Sequence, residues 1–406
     1  MTRHLLKLVW NRKGSNALMI VEIFFSFLVV FALLTAALFL ASNYRRPLGF
    51  DWTDVWVVSI DVGQTSDDEH SAEQVETFAQ VLREARTLAS IEAAAGLLSA
   101  PYAATSSTTY LQPEGSPQVY VEVNEVTDDA RDALDLELVA GRWFERSDDG
   151  LSWQPAVIDR ELAQALFGAG DPLGRWLDDK PRAASGAAPE RGRRRVVGVV
   201  SDFRQHGELA AANPYMFVRK RVGDPADRPL RSLVLETTPG TPAAYEEEVL
   251  SRLGVVAPEW SFVVRPMAQM RSTSFRLRLA PIVVGAVVAG FLIVMVALGL
   301  VGVLWQNVVR RTRELGLRRA TGATRRDVRR QISMELLLLT TLALGLGTLL
   351  AVQLPVLDLL PALGTGVFTA GLLLAGTLVY ALVLVAALYP SWLASRVEPA
   401  EALRWE

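Results

Sequence analysis

The chain has 406 residues, half of them hydrophobic yet 21% charged, with a formal net charge of −3 and no cysteine. That leaves room for two or three domains, part in lipid and part in water, and it excludes disulfides, thiolate metal sites and cysteine nucleophiles. The small net charge hides a split: residues 45–278 hold 36 Asp and Glu against 26 Lys and Arg, a net of −10, while the remainder is +7. An acidic soluble part between basic membrane flanks is the asymmetry expected when 45–278 lies outside the cytoplasm. It also argues against nucleic acid as a partner.

Residues 1–16 set Leu5, Leu8 and Val9 among Arg3, Lys7, Arg12 and Lys13, a pattern that predicts an interfacial helix. A first membrane span is expected over 17–41. Residues 23–44 carry no charge, which meets the roughly 20 apolar residues a crossing helix needs and exceeds the roughly 7–15-residue core of a cleaved signal. Four Lys and Arg precede the span and two, Arg45 and Arg46, follow it, so the N-terminus is expected inside. Glu22 sits near the inner end. An intramembrane carboxylate invites a functional reading, and Glu22 is a candidate intramembrane polar contact; reaching to the interface or pairing with an arginine of a basic loop explains it as well.

From Asp51 the pattern becomes globular, and residues 45–278 are expected to form one α+β extracytoplasmic domain. Strands are predicted over 55–60, 91–99 and 118–126, with a helix over 71–88 whose Val75, Phe78, Val81, Leu82 and Ala85 share a face. Residues 127–203 read as an insert in which Asp159 caps a helix over 160–167, followed by a polar low-complexity stretch at 181–195. Strands over 215–219 and 232–236, a helix over 242–253 and a strand over 261–264 then repeat the first strand–helix–strand. Two similar halves around the insert are therefore expected.

A helical lead-in over 267–278 precedes a second span at 279–305. A cytoplasmic loop at 306–334, a third span at 335–357 with Gly345 and Gly347 for close helix packing, a fourth span at 367–388 and a cytoplasmic tail at 389–406 complete the chain. Asp358 stands alone in a short outer loop free of Lys and Arg. The expected fold is an α-helical membrane protein with four transmembrane helices and a large α+β extracytoplasmic domain between helices 1 and 2.

Nothing in the sequence supplies a catalytic constellation. There is no GxxxxGK[ST] loop to cradle phosphates, no Gly-x-Ser-x-Gly elbow and no His-Glu-x-x-His. His4, His70 and His206 share no ligand spacing. Asp67-Asp68-Glu69-His70 reads as a solvated loop, Asp148-Asp149-Gly150 as a turn, and Glu246-Glu247-Glu248 as a solvated helix face. No catalytic, cofactor-binding or metal-binding residue is expected in this chain.

Arg310–Glu335 is the exception. It carries nine arginines and three carboxylates, Glu314, Asp327 and Glu335, between two uncharged segments. Topology and anionic headgroups account for the charge. They do not account for Gly316, Ala320, Gly322 and Ala323, which would let a helix or turn approach another surface closely.

The stretch RTRELGLRRATGATRRDVRRQISME resembles the cytoplasmic loop of the MacB/FtsX/LolC-type ABC transporter permeases, in Arg311, Arg313, Glu314, Leu315, Gly316, Arg319, Ala320, Gly322, Ala323, Asp327 and Val328. The tail resembles the same family's ending in Pro390, Ala394, Pro399, Ala402, Leu403 and Arg404. AGRWF (140–144), PAVID (155–159), LFGAGDPLGRWL (166–177) and VVGVVSDFR (196–204) resemble the MacB-like periplasmic core. The resemblance implies a permease dimer, with a second copy or a paralogue, in a bacterial inner membrane. An ABC ATPase dimer, a separate chain binding ATP and Mg, would dock on the loop. Arg313, Glu314, Leu315, Gly316, Arg319 and Gly322 then carry the ATPase coupling. A periplasmic adaptor and outer-membrane duct are further partners in such complexes. The function implied is export driven by ATPase motion passed to the extracytoplasmic domain; the alternative is an FtsX-type relay acting on an envelope partner without transport.

Overall fold

The computed structural model describes residues 13–63, 72–113, 118–178, 193–223, 230–310, 324–357, 359 and 363–394. They fall into two compact units, Asn43–Arg278 and the pair Met1–Ser42 with Leu279–Glu406.

The Asn43–Arg278 unit is built on one ten-stranded sheet. Its elements in chain order are β1 (Val55–Asp61), α2 (Ala72–Ala85), β2 (Ile91–Leu97), β3 (Ser107–Leu111), β4 (Val119–Val126), α3 (Ala130–Ala133), β5 (Leu138–Gly141), β6 (Gln154–Asp159), α4 (Arg160–Phe167), β7 (Arg194–Val200), β8 (Tyr215–Arg219), β9 (Ser232–Thr237), α5 (Tyr245–Val256) and β10 (Ser261–Pro266). Helix α1 (Lys13–Tyr44) leads into the unit and α6 (Met267–Arg310) leaves it. The strand order is β10-β1-β9-β2-β4-β8-β6-β7-β5, with β3 beside β4.

The two expected halves are interlocked rather than side by side. β1 pairs antiparallel with both β9 and β10, and β9 pairs antiparallel with β1 and β2. Each strand–helix–strand thus leaves a gap that a strand of the other fills, the split βαβ arrangement. The expected insert is no separate body either. β4 pairs parallel with β8 and β8 antiparallel with β6, so β5, β6 and β7 extend the same sheet. Helix α5 starts three residues later than predicted, because Pro242–Ala244 form a turn closed by Tyr245 N–H donating to Pro242 O.

Strand periodicity divides the core between the sheet's faces. On one face Val57, Leu97, Val126, Tyr215, Phe217 and Val234 join Phe50, Trp143 and Phe203. On the other, Trp56, Val58, Leu233 and Leu235 meet α2 and α5, and Met216, Val218 and Ile158 meet α4. All five residues of β8 are buried, as expected of a strand covered on both faces.

In the other unit, helices α1, α6, α7 (Arg325–Val356) and α8 (Thr365–Ala394) include four segments long and apolar enough to cross a membrane: Ala17–Tyr44, Met267–Val303, Ser333–Val356 and Thr365–Leu388. The expected interfacial helix lies, up to residue 12, outside the described residues. The core of this unit gathers Met19, Ile23, Phe27 and Phe31 of α1 with Leu300 of α6, Leu339 and Ala343 of α7, and Ala375 and Val383 of α8. Small residues let the helices close, as lipid-embedded helices require. A Cβ on Gly347 would lie 2.5 Å from the Phe27 ring, and one on Gly371 would lie 3.2 Å from the Thr35 backbone. Gly345, expected to share this role, faces open space.

Candidate functional site

The six loop residues assigned to ATPase coupling, Arg313, Glu314, Leu315, Gly316, Arg319 and Gly322, lie outside the described residues. So do Asp67-Asp68-Glu69-His70. The described residues that border the coupling stretch are the end of α6 at Arg310 and the start of α7 at Arg325.

Helix α7 begins with a reciprocal cap. Thr324 is extended and its hydroxyl accepts from the Asp327 N–H at 3.3 Å; Asp327 Oδ2 accepts from the Thr324 N–H at 2.9 Å and from its hydroxyl at 2.6 Å. Two otherwise orphaned donors are met at once. Hydrogen bonds from the Thr324 side chain and then its backbone hold the Asp327 carboxyl below its ordinary range. Asp327 thus has a structural task within the loop motif: it fixes where the third span's helix begins. The Thr-x-x-Asp spacing is a cap signature readable from sequence, and sequence reasoning placed Asp327 in the motif without seeing it.

Arg326, Arg329 and Arg330 follow on the first turns of α7 and are exposed. Positive charge at a helix N-terminus opposes the helix dipole. Part of that cost is offset within the same turns, where Arg330 and Arg326 help hold the Asp327 carboxyl low.

Glu22 is half-buried on α1, and its carboxylate occupies the space over Gly299 of α6, where a Cβ would come within 2.4 Å of Oε1. Nearby on the helix, Met19, Ile23, Ser26 and Phe27 are buried.

In the Asn43–Arg278 unit a cleft of about 410 Å³ is lined by Phe50, Asp51, Asp135, Glu137, Arg160 and Asp202, among others. Burial first, and then Glu92, Asp135, Asp132 and Asp51, push the Glu236 carboxyl above its ordinary range. This end of the domain is a field of carboxylates. Among the described residues no group of three or more His, Asp or Glu side chains is arranged to hold a metal ion. Asp148, expected in a solvated turn, lies in a 3-10 turn over Arg146–Gly150 and is buried against Arg142, which donates to it at 2.9 and 2.5 Å.

Four apolar helices, with an α/β domain between the first and the remaining three, define a multi-span membrane protein with one large inserted domain. The chain belongs to the MacB-like periplasmic core domain family, which it matches over residues 17–252. Residues 286–399 match the FtsX-like permease C-terminal family. The macrolide export ATP-binding/permease protein MacB of Bordetella avium is 26% identical over 280 residues, covering 67% of this chain and 41% of that protein. The chain thus spans less than half the length of the MacB relatives it matches. The ABC transporter permease YknZ of Bacillus subtilis is 24% identical over 291 residues, 70% of each chain. The periplasmic region of MacB from Actinobacillus actinomycetemcomitans aligns over 57% of this chain and 97% of that structure, at 16% identity and a TM-score of 0.36.

Proposed function

We propose that this chain is the permease subunit of an ABC-type export complex, converting the motion of a cytoplasmic ATPase into movement of its extracytoplasmic domain to expel or hand over substrate. The observation that carries the reading is the coupling motif itself. Arg311–Val328 stands between two spans, and it runs into a helix whose start Asp327 caps and whose first turns carry exposed arginines. No phosphate-binding loop occurs in the sequence, so ATP and Mg²⁺ are bound by an ATPase outside these 406 residues. Helix α6 spans 44 residues from Met267 to Arg310, with Pro281 inside it, and gives a direct covalent path for transmission. The complex sits in a bacterial cytoplasmic membrane with both termini inside, and a second permease copy or paralogue completes the dimer.

The test is co-purification with the ABC ATPase and measurement of ATPase stimulation. Arg313→Ala and Gly316→Leu should each lose stimulation while the protein still inserts and folds. Full stimulation in both variants would remove the loop from the mechanism. Scoring export and envelope morphology side by side in the Arg313→Ala and Gly316→Leu strains separates transport, which predicts lost export with unchanged morphology, from an FtsX-type relay, which predicts the reverse.

A further inference from the structure

Helices α1 and α6 are the two covalent routes between the membrane-spanning segments and the Asn43–Arg278 domain. Within that domain, both helix ends are held by one connection, Ser201–Pro214, which joins β7 to β8.

The Arg204 side chain is buried. Its guanidinium donates to Asn43 O at 2.7 Å, to Glu208 O at 2.7 Å and to Ala210 O. Asn43 is the penultimate residue of α1, so its carbonyl lies at the negative end of the helix dipole with no donor from a further helical turn; it accepts from the Arg46 N–H at 3.1 Å as well as from Arg204. The Arg204 N–H also donates to Leu48 O at 3.1 Å, which ties down the segment after the helix.

Four residues on, Glu208 Oε1 accepts from Arg271 Nε at 2.5 Å, and Glu208 Oε2 accepts from the Tyr102 hydroxyl at 3.1 Å. Arg271 is in the second turn of α6. Its guanidinium stacks over Trp52 at 4.5 Å and over Phe275 at 4.7 Å. Phe275, one turn further along α6, meets Tyr44 of α1 edge to face, with ring centroids 6.1 Å apart. The circuit is closed: α1 to the loop through Arg204, the loop to α6 through Glu208 and Arg271, and α6 back to α1 through Phe275 and Tyr44.

A loop gripping only one helix would leave the other free to pivot, and a push along the spans would be absorbed in the hinge. Gripping both removes the pivot, and the loop's far end is β8, the strand buried along its whole length. We propose that Arg204, Glu208 and Arg271 are positioning residues that make the ends of α1 and α6 a single rigid root, through which displacement of the spans reaches the ectodomain sheet. This rests on the coupling function proposed above.

The test uses the full chain with its ATPase in lipid nanodiscs. It reads the ATP-dependent difference in amide hydrogen exchange across residues 43–278, with the ATPase trapped by vanadate against nucleotide-free. Glu208→Gln keeps the side-chain volume and removes the charge; Arg271→Met removes the fork. Each is expected to keep ATPase binding and the ectodomain's melting temperature within a few degrees, yet to shrink the ATP-dependent difference at least threefold. The chain has no native cysteine, so Tyr44→Cys with Phe275→Cys can be joined by a short bis-maleimide. Joining them in the Glu208→Gln background is expected to restore the difference, which a merely structural role would not predict. Where Arg271→Met fails to fold, the isosteric Glu208→Gln carries the test. A difference of wild-type size in the variants, or one that cross-linking does not restore, overturns the clasp. A wild-type complex with no ATP-dependent difference at all overturns the coupling function and the clasp with it.

Discussion

The Asp159 carboxylate accepts from the backbone N–H of Tyr215 at 3.0 Å, 56 positions along the chain, while the same oxygen accepts from Leu162 N–H at 2.8 Å. One side chain caps α4 and ties the end of β6 to the start of β8. Burial pushes this carboxyl up to about 8, against the lowering effect of the two backbone donors. Unfolded, it titrates near about 3.9. Between those values the folded state keeps a proton that the unfolded state releases, so stability falls as pH rises from about 4 to about 8, by at most about 1.4 kcal/mol per pH unit. Asp159→Asn keeps an acceptor and loses the charge, so it should flatten this slope and match or exceed the wild type at pH 8. Asp159→Ala should cost roughly 2–4 kcal/mol at pH 5, from a lost cap and an unpaired Tyr215 N–H. Urea midpoints at pH 5 and pH 8 measure both. A wild-type midpoint that rises with pH across this range, with Asp159→Asn unchanged, would reverse the assignment.

That cap was legible in the sequence, because Asp159 precedes an amphipathic run and capping is local chemistry. So were the four spans and most strands, which announce themselves by uncharged length or by alternation. The strand order was not. β1 finds its partners in β9 and β10, more than 170 positions away, and nothing in VWVVSID names them. β3 (STTYL) was missed because its polar residues carry no clear alternation, and only its last residue is buried. The loop motif was legible as a family signature, and the capping role of Asp327 was readable in its spacing. The Arg204–Asn43 and Glu208–Arg271 contacts were not, since each joins residues 63 or more apart through a fold the spacing does not reveal.

Close packing of α1 against α7 depends on Gly347, whose Cβ would lie 2.5 Å from Cδ1 of a fully buried Phe27 ring. Alanine there gains about 1 kcal/mol of helix propensity but overpacks a site with little room, at a typical cost of about 1–3 kcal/mol. Gly345 faces open space, so alanine there keeps the gain alone. Detergent-solubilised Gly347→Ala should melt below the wild type and Gly345→Ala at or above it. The reverse order would mean that α1 and α7 do not meet at Phe27.

Ion pairs in the domain differ by burial rather than by geometry. Arg219 donates twice to Asp128, at 2.7 and 2.8 Å, and once to Asp149 at 2.6 Å, with its side chain 5% exposed. Arg252 meets Glu84 at 2.9 Å with its side chain 53% exposed. Arg219→Met should cost roughly 2–4 kcal/mol, somewhat below a fully buried pair because Asp128 and Asp149 keep contact with water. Arg252→Met should cost less than about 1 kcal/mol. Equilibrium unfolding of both variants in low and high salt distinguishes them, and only the smaller effect should be screened away. Equal losses would show that the buried fork contributes no more than a surface pair.

Gly49 permits the chain to turn back on the domain after α1. Its φ is +85°, and a Cβ there would lie 1.6 Å from Asp202 O and about as close to the Phe203 Cα as a non-bonded atom comes, at 3.0 Å. Gly240 has nearly the same φ, +84°, with nothing near its Cβ position. The two glycines therefore separate backbone strain from steric exclusion. Gly240→Ala should cost only the strain, about 1–2 kcal/mol. Gly49→Ala carries that strain and must also push the Leu48–Phe50 segment off the backbone at Asp202, so its loss should exceed that of Gly240→Ala by about 2 kcal/mol or more. Because Leu48 is tied to Arg204, the displacement should also appear as faster amide exchange at Arg204, read by hydrogen–deuterium exchange. Equal midpoints for the two variants, with exchange at Arg204 unchanged, would show that the segment after α1 does not pack against the Asp202 backbone.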